Sequence, residues 1–246
     1  LDLKTLEYRP QQKVKSATLE MTKTIEKVAD RMKVFATGKD KAAELFRASF
    51  FGLFEYVSDR IPEISDELYR IDDAMRAGFG WDLGPFEVWD AVGIQASLDG
   101  MKQLGHTPAA WVTEMLAAGH TSFYKVEGAV KKYYDIPSKS YKVVPGTDHF
   151  IILDNLRANM VLWKNSGASI IDLGDGILNV EFHSKMNTIG GDTLSAINKA
   201  IDMAEKDYRG VVIGNDGANF SAGANVGMIF MMAVEQEWEE LNMAVR

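Results

Sequence analysis

IDDAMRAGFGWDLGPFEVWDAVG, residues 71–93, is the stretch on which the reading of this chain turns. Leu68, Ile71 and Met75 recur at helical spacing, with Ser65 placed as an N-cap and Asp66 and Glu67 in the first turn, where the helix dipole favours acids. Gly78 is read as the stop. Gly78, Gly80 and Gly84 allow close backbone approach and positive φ, and Pro85 pre-sets the first turn of a second helix, Pro85–Val92. The stretch therefore reads helix, glycine turn, helix, with Asp72 and Asp90 placed to cap or tie the turn and Trp81 and Trp89 flanking it as core residues.

Towards the N-terminus, Leu19, Ile25, Val28 and Met32 predict one helix from Ser16 to Phe35, ended by Gly38. From about Asp40, Leu45, Phe46, Phe50, Leu53, Phe54, Val57 and Ile61 form an apolar stripe too wide for a surface helix, which predicts the buried centre of a bundle. Towards the C-terminus, Pro108 opens a helix to Ala118 with Thr107 as its cap. The first half reads as an all-α bundle, and Ser122–Gly146, with Ile136-Pro137 and Val144-Pro145-Gly146, reads as loop. The predicted division is a helical domain over 1–146, a linker helix within 147–165 (Asp148 to Trp163), and an α/β part over 166–246.

That last part changes period. Ser169–Leu173 and Ile177–His183 read as a hairpin around Gly174-Asp175-Gly176, followed by a helix Asp192–Lys206, a strand Gly210–Gly214, a Gly/Asn loop Asn215–Asn225 and a methionine-rich helix from Val226. The order implies a sheet with helical crossovers.

A net charge of −8 without clustered Lys/Arg argues against a nucleic-acid partner or a polybasic membrane surface. The longest apolar stretches, SFFGLF and VGMIFMMAV, are too short for a bilayer span, and no signal peptide is read, so a soluble, cytoplasmic protein is expected. With no cysteine, thiolate chemistry and disulfides are excluded. His106, His120, His149 and His183 show no metal-ligand spacing, so no metal is expected. Met228, Met231 and Met232 read as core filling, and Glu235, Glu237, Glu239 and Glu240 as a solvated helix face anchored by Trp238. The chain begins at Leu1 and ends in a helical EWEELNMAVR without a stop signal, which predicts an internal piece of a longer protein.

The 71–93 pattern, "iD-a…G-G…GPf…D-vG", resembles the C-terminal domain of 3-hydroxyacyl-CoA dehydrogenases. The resemblance implies NAD as cofactor of the parent protein, with the catalytic His-Glu pair in an upstream domain and a helical domain able to mediate a homo-oligomer. GFGWDLG has the wrong spacing for a dinucleotide loop and follows a helix, so this segment itself is not expected to bind NAD. Where the family opens this domain with GF-x-x-NR, the chain has AAELFRASFFGLFEY, which implies the degenerate second copy found in multifunctional fusions.

The pieces GASIIDLGDGILNVEFHSKMNT and GVVIGNDGANFSAGAN resemble the start of the crotonase (enoyl-CoA hydratase) fold, so the fold class expected is a helical bundle followed by a partial crotonase-like α/β lobe. This resemblance implies an acyl-CoA substrate held by Ser184, Lys185, Met186 and Asn187 on one loop and Ala222, Asn225 and Val226 on the other, with the backbone N–H of Ala224 donating to the thioester oxygen. Small residues at Ser221, Ala222 and Gly223 suit such a donor, because a carbonyl must reach hydrogen-bond distance. Asn225 stands where the family has Asp, which keeps hydrogen-bonding capacity and loses a charge. A hydratase also needs a second oxyanion donor and two glutamates, which the resemblance places beyond this segment, so the segment alone is expected to be inactive. The competing expectation is a non-catalytic dimerisation or scaffolding module with a vestigial CoA-binding lobe.

Overall fold

The computed structural model describes residues 1–10, 15–25, 27–217 and 219–244. Glu26, Ala218, Val245 and Arg246, which fall within the predicted first helix, the glycine loop and the final helix, lie outside the described residues. The chain divides into two compact units, Leu1–Lys125 with Lys132–Val144, and Val126–Lys131 with Pro145–Arg246.

The first unit opens with α1 (Ala17–Thr22), α2 (Val28–Thr37), α3 (Lys41–Asp59), α4 (Leu68–Phe79), α5 (Pro85–Val92), α6 (Ile94–Gln103) and α7 (Ala110–Ala117). The single helix predicted over Ser16–Phe35 is broken: Ser16 caps α1 by accepting from the Leu19 N–H at 3.0 Å, and the Ser16 hydroxyl donates to Asp40 at 2.6 Å. Asp40 also caps α3, so a short α1 is held against the start of α3 and cannot run straight into α2. Apolar spacing carries no information about such a break.

α3 is the centre of the bundle, burying Phe46, Phe51, Phe54 and Val57. Phe54 stacks on Trp89 with ring centroids 4.7 Å apart, and Phe86, Trp89 and Phe123 continue the aromatic core. The Trp89 indole N–H is satisfied by the Ser97 hydroxyl at 2.7 Å, as a buried indole requires. The ends of two helices differ from expectation. α4 starts after Glu67 rather than Ser65 and ends at Gly80, in the left-handed region (φ +65), not at Gly78. α7 starts at Ala110 rather than Pro108; the Thr107 N–H is taken by Glu55 at 2.9 Å, and the Ala109 N–H by the Ser58 hydroxyl at 3.0 Å.

Ser122–Gly146 is not loop, and the first half is not all-α. β1 (Tyr124–Glu127), β2 (Val130–Asp135) and β3 (Ser140–Val143) form a sheet in that order, with β2 and β3 antiparallel from Lys132↔Val143 to Asp135↔Ser140. Gly128 (φ +63) makes the first turn, and Asp135 accepts from the Ser138 N–H in the second. The Tyr and Val content is the strand signal of this segment, and its glycines and prolines favour turns.

In the second unit the predicted linker helix is replaced by a 3-10 turn Thr147–His149, a single helical turn α8 (Leu153–Leu156) and a strand β4 (Val161–Lys164). β4 pairs antiparallel with β5 (Ala168–Gly174) through a turn in which the Asn165 side chain accepts from the Gly167 and Ala168 N–H groups. β5 pairs antiparallel with β6 (Ile177–Phe182), α9 (Gly191–Asp207) crosses over, and β7 (Gly210–Ile213) lies parallel to β6. Ala168, Ile170, Leu178, Val180 and Phe182 face Ala196 and Ala200 of α9. α10 (Val226–Val234) and α11 (Trp238–Ala244) follow. Contrary to the core-filling expectation, α10 buries none of its residues, and Trp238 is 60% exposed instead of anchoring α11.

Candidate functional site

Two polar constructions stand out, one in each unit. In the first, Asp72 is fully buried and accepts from the Phe86 N–H (2.9 Å), the Glu87 N–H (3.2 Å) and the Tyr124 hydroxyl (2.8 Å). Asp90 accepts from the Phe123 and Tyr124 N–H groups at 2.7 and 2.8 Å. The first carboxylate caps α5 from α4 and the second ties α5 to β1, so the two aspartates of the 71–93 stretch fasten the helical corner. Glu87 accepts from the Gly84 N–H at 2.9 Å and pairs with Arg76, which also pairs with Asp73. Burial pushes Asp72 and Asp90 up to about 7, against the pull of the backbone N–H donors. The contacts named here all tie α4, α5 and β1 to one another.

The second construction joins the loop after β6 to the loop after β7. Met186 (φ 56) and Asn187 (φ 53) are left-handed, which turns the chain back on itself. The Ala222 N–H donates to the Met186 carbonyl (3.0 Å), the Ser221 hydroxyl to the Asn187 carbonyl (2.7 Å) and the Asn187 amide to the Asn219 carbonyl (2.9 Å). Ile189 and Ala224 form a parallel bridge, with the Ile189 N–H donating to the Gly223 carbonyl (2.8 Å) and the Asn225 N–H to the Ile189 carbonyl (2.9 Å). Since alternate backbone groups face opposite sides of an extended segment, the Ala224 N–H faces away from Ile189. Among the described residues nothing accepts from it, and Ala224 is exposed.

Asn225 caps α10 by accepting from the Met228 N–H at 3.3 Å, so the asparagine retains a role that needs an acceptor and no charge. The Ala224 N–H therefore stands just ahead of a nine-residue helix whose positive end favours developing negative charge. Ser184, whose hydroxyl donates to the Thr188 carbonyl at 2.6 Å, shares a 330 Å³ recess with Asn225. Of the residues singled out in the sequence, Ser184, Met186, Asn187, Ala222, Ala224 and Asn225 are thus brought together. Lys185 and Val226 are exposed and make no side-chain bond among the described residues.

Three supporting residues escaped the sequence reading. Asn215 accepts from the Phe182 N–H (2.7 Å) and donates to the Phe220 carbonyl (2.6 Å), stitching the end of β6 to the second loop. Glu181, 2% exposed, takes Arg157 through two hydrogen bonds of 2.5 and 3.1 Å. An acid inside the apolar run ILNVEF was the available signal, because a buried carboxylate demands a partner.

A dinucleotide cofactor does not fit the turns described. The GFGWDLG turn joins two helices, with Gly84 packed directly on Asp72. The β6–α9 crossover has the strand-to-helix order, but its turn, HSKMNTIGG, lacks the glycine spacing that admits a pyrophosphate. Among the described residues there is no group of three or more His, Cys, Asp or Glu placed to hold a metal ion, and no helix long and apolar enough to cross a membrane.

Comparison with known proteins finds a likeness for the helical corner. Residues 53–133 match the family model of the 3-hydroxyacyl-CoA dehydrogenase C-terminal domain. The whole chain is 40% identical to a Bacillus subtilis (strain 168) protein described as "Probable 3-hydroxyacyl-CoA dehydrogenase", of which it covers 31%. Over 80% of the chain it is 22% identical to a Rickettsia felis "Putative fatty acid oxidation complex trifunctional enzyme", covering 24% of that protein, and a Rickettsia prowazekii protein of the same description is 22% identical over 71% of the chain. The chain thus spans a third or less of the length of these curated relatives. No solved structure matches it. Over residues 53–133 the chain is thus similar to the 3-hydroxyacyl-CoA dehydrogenase C-terminal domain, and over most of its length to the relatives so described.

Proposed function

We propose that this chain is part of a cytoplasmic, homo-oligomeric fatty-acid β-oxidation enzyme in which an NAD-dependent 3-hydroxyacyl-CoA dehydrogenase is fused to an enoyl-CoA hydratase. In this reading 1–146 is the helical dehydrogenase domain, 147–165 the connection, and 166–246 the beginning of a crotonase lobe that contributes half of an acyl-CoA site. NAD would supply hydride acceptance, with its site formed by segments other than these. The observation that carries the hydratase half is the free N–H of Ala224 at the head of α10, on a segment clamped by Ile189. A preorganised donor at that place polarises a thioester carbonyl and stabilises the enolate oxygen formed when water adds to the double bond. Ser184, Met186 and Asn187 would border the thioester arm of CoA, and Asn225 would hold the donor in place.

One donor does not make a hydratase. Each missing oxyanion donor costs about 10²–10³-fold, so the isolated chain is expected to show no measurable hydration of crotonyl-CoA. Binding is the direct test: acetoacetyl-CoA added to the ¹⁵N-labelled chain should shift the Ala224 amide and its neighbours from Ser184 to Asn187. If those signals stay still at millimolar ligand while the protein is folded, the crotonase reading fails. A second reading, a non-catalytic interaction module with a vestigial CoA lobe, draws on the exposure of Phe230 (64%) and Val234 (58%) on α10. Concentration-dependent association in sedimentation, abolished by Phe230→Ser and unaccompanied by CoA binding, would favour it.

A further inference from the structure

A groove of 370 Å³ lies in the helical unit between α3 and α4, apart from both polar constructions. Leu53 and Val57 of α3 face Ile71 and Met75 of α4 across it, and the turn at Ile64-Ser65 closes one end. Both arginines that line it, Arg60 at the C-cap of α3 and Arg70 near the start of α4, stand at that closed end. At ~1.5 Å per residue, Leu53 lies about 10 Å along α3 from Arg60. The groove is therefore apolar along its length and carries donors at one end, the pattern of small-ligand sites at the lower end of the usual ~300–1,000 Å³ range.

The donors are not used up. Arg60 binds Glu63 through Nη1 at 2.6 Å and rests on the Tyr56 ring, while its Nε–H is buried with no acceptor among the described residues. Arg70 binds Glu67 through Nε at 2.8 Å and its guanidinium lies over the Tyr69 ring, 5.6 Å from the centroid, so it would turn off that ring to meet a ligand oxygen. A buried donor without a partner is costly, and an oxygen acceptor brought in on an apolar chain would relieve it after a small side-chain rotation. Tyr56 and Ile64, both more than half exposed at the rim, would lose water contact in the same event.

We infer that the α3–α4 groove binds an unbranched acyl chain whose carbonyl or carboxylate oxygen accepts from Arg60 and Arg70. The inference is independent of the oxyanion reading, because groove and Ala224 belong to different units. Glu63 and Glu67 balance the two arginines, so the head is recognised through guanidinium hydrogen bonds more than through net charge. Either a free fatty acid or an acyl thioester presents that chemistry.

The test uses the whole chain with ¹³C-methyl methionine, the Met75 signal being assigned with Met75→Leu. Decanoate, decanoyl-CoA and decane-1-thiol are titrated separately. Saturable movement of the Met75 methyl with decanoate or decanoyl-CoA, weakened about tenfold or more by Arg60→Gln with Arg70→Gln and abolished by Ala74→Phe, is the expected result. Response to decanoyl-CoA alone names the thioester as the source, and response to decanoate names the free acid. Equal affinity for decane-1-thiol, or no loss in the double arginine variant, overturns the recognition. No movement of Met75 by any probe, or movement on raising protein concentration without ligand, overturns the site. If Ala74→Phe does not fold, the arginine variant, whose two side chains are partly exposed, decides alone.

Discussion

Two glycines in one stretch should answer the same substitution with opposite signs. Gly78 lies in the last turns of α4, with open space around the position a methyl would take. Alanine there lowers the entropy of the unfolded chain without meeting anything, a gain of about 0.5–1 kcal/mol. Gly84, the N-cap of α5, has φ −74, so alanine meets no backbone strain and the same entropic gain applies. Its added methyl, however, would lie 2.3 Å from the Asp72 Cβ and 2.4 Å from the Asp72 Cα. A backbone atom cannot rotate away, so α4 and α5 must separate. Overpacking of this kind costs roughly 1–3 kcal/mol. Separation also lengthens the Asp72 bonds to the Phe86 and Glu87 N–H groups, about 1 kcal/mol each. After subtracting the entropic gain, Gly84→Ala should destabilise the helical unit by roughly 2–4 kcal/mol. With a urea slope of about 1–3 kcal/mol per molar, the midpoint should fall by about 1 M or more, while Gly78→Ala raises it slightly. Tryptophan fluorescence in a Trp163→Phe, Trp238→Phe background confines the signal to Trp81, Trp89 and Trp111 of the helical unit. Equal small shifts for both substitutions would refute the close packing of α4 on α5 and the role assigned to Asp72.

Asp72 and Asp90 have folded values near 7, above the unfolded 3.8, so their contribution is greatest below about pH 4 and is lost as pH rises towards 7. The helical unit should therefore melt higher at about pH 5.5 than at about pH 7.5, and Asp72→Asn should flatten that slope; a melting temperature that rises with pH over this window contradicts the assignment. Glu55 and Asp135, held low by the Thr107 N–H and by the Lys142 and Ser138 bonds against burial, lose their contribution only as pH falls below the ordinary carboxylate range, outside the window. In the second unit, Arg157→Ala strands the buried Glu181 carboxylate, a loss of up to about 3–5 kcal/mol. Hydrogen exchange along β6 should accelerate accordingly, and partial recovery is expected from pairing Arg157→Met with Glu181→Met; unchanged protection of β6 would show that the pair is incidental.

The helix boundaries that the sequence revealed are those written in local chemistry. Asp40 ahead of the apolar stripe and Pro85 after Gly84 set the starts of α3 and α5, and Gly174-Asp175-Gly176 set the β5–β6 turn. Elements whose formation depends on a distant partner were misread. β1 to β3 looked like loop because glycine and proline dominate their turns, and β4 looked helical because its strand character comes from pairing with β5. α10 looked like a core helix because its composition is apolar all round, yet composition does not say whether a neighbour covers it.

The sequence by itself determined the glycine corner at 71–93 and which small residues stand around Ala224. Those features follow from backbone conformational limits and side-chain period, which act over a few residues. Only the tertiary structure decided that Asp72 caps a helix other than its own, that Glu181 meets Arg157, and that Ile189 holds Gly223 and Asn225 so that the Ala224 N–H is left free. Hydrogen-bond partners tens of residues apart are chosen by how whole elements pack, and no local pattern records that choice.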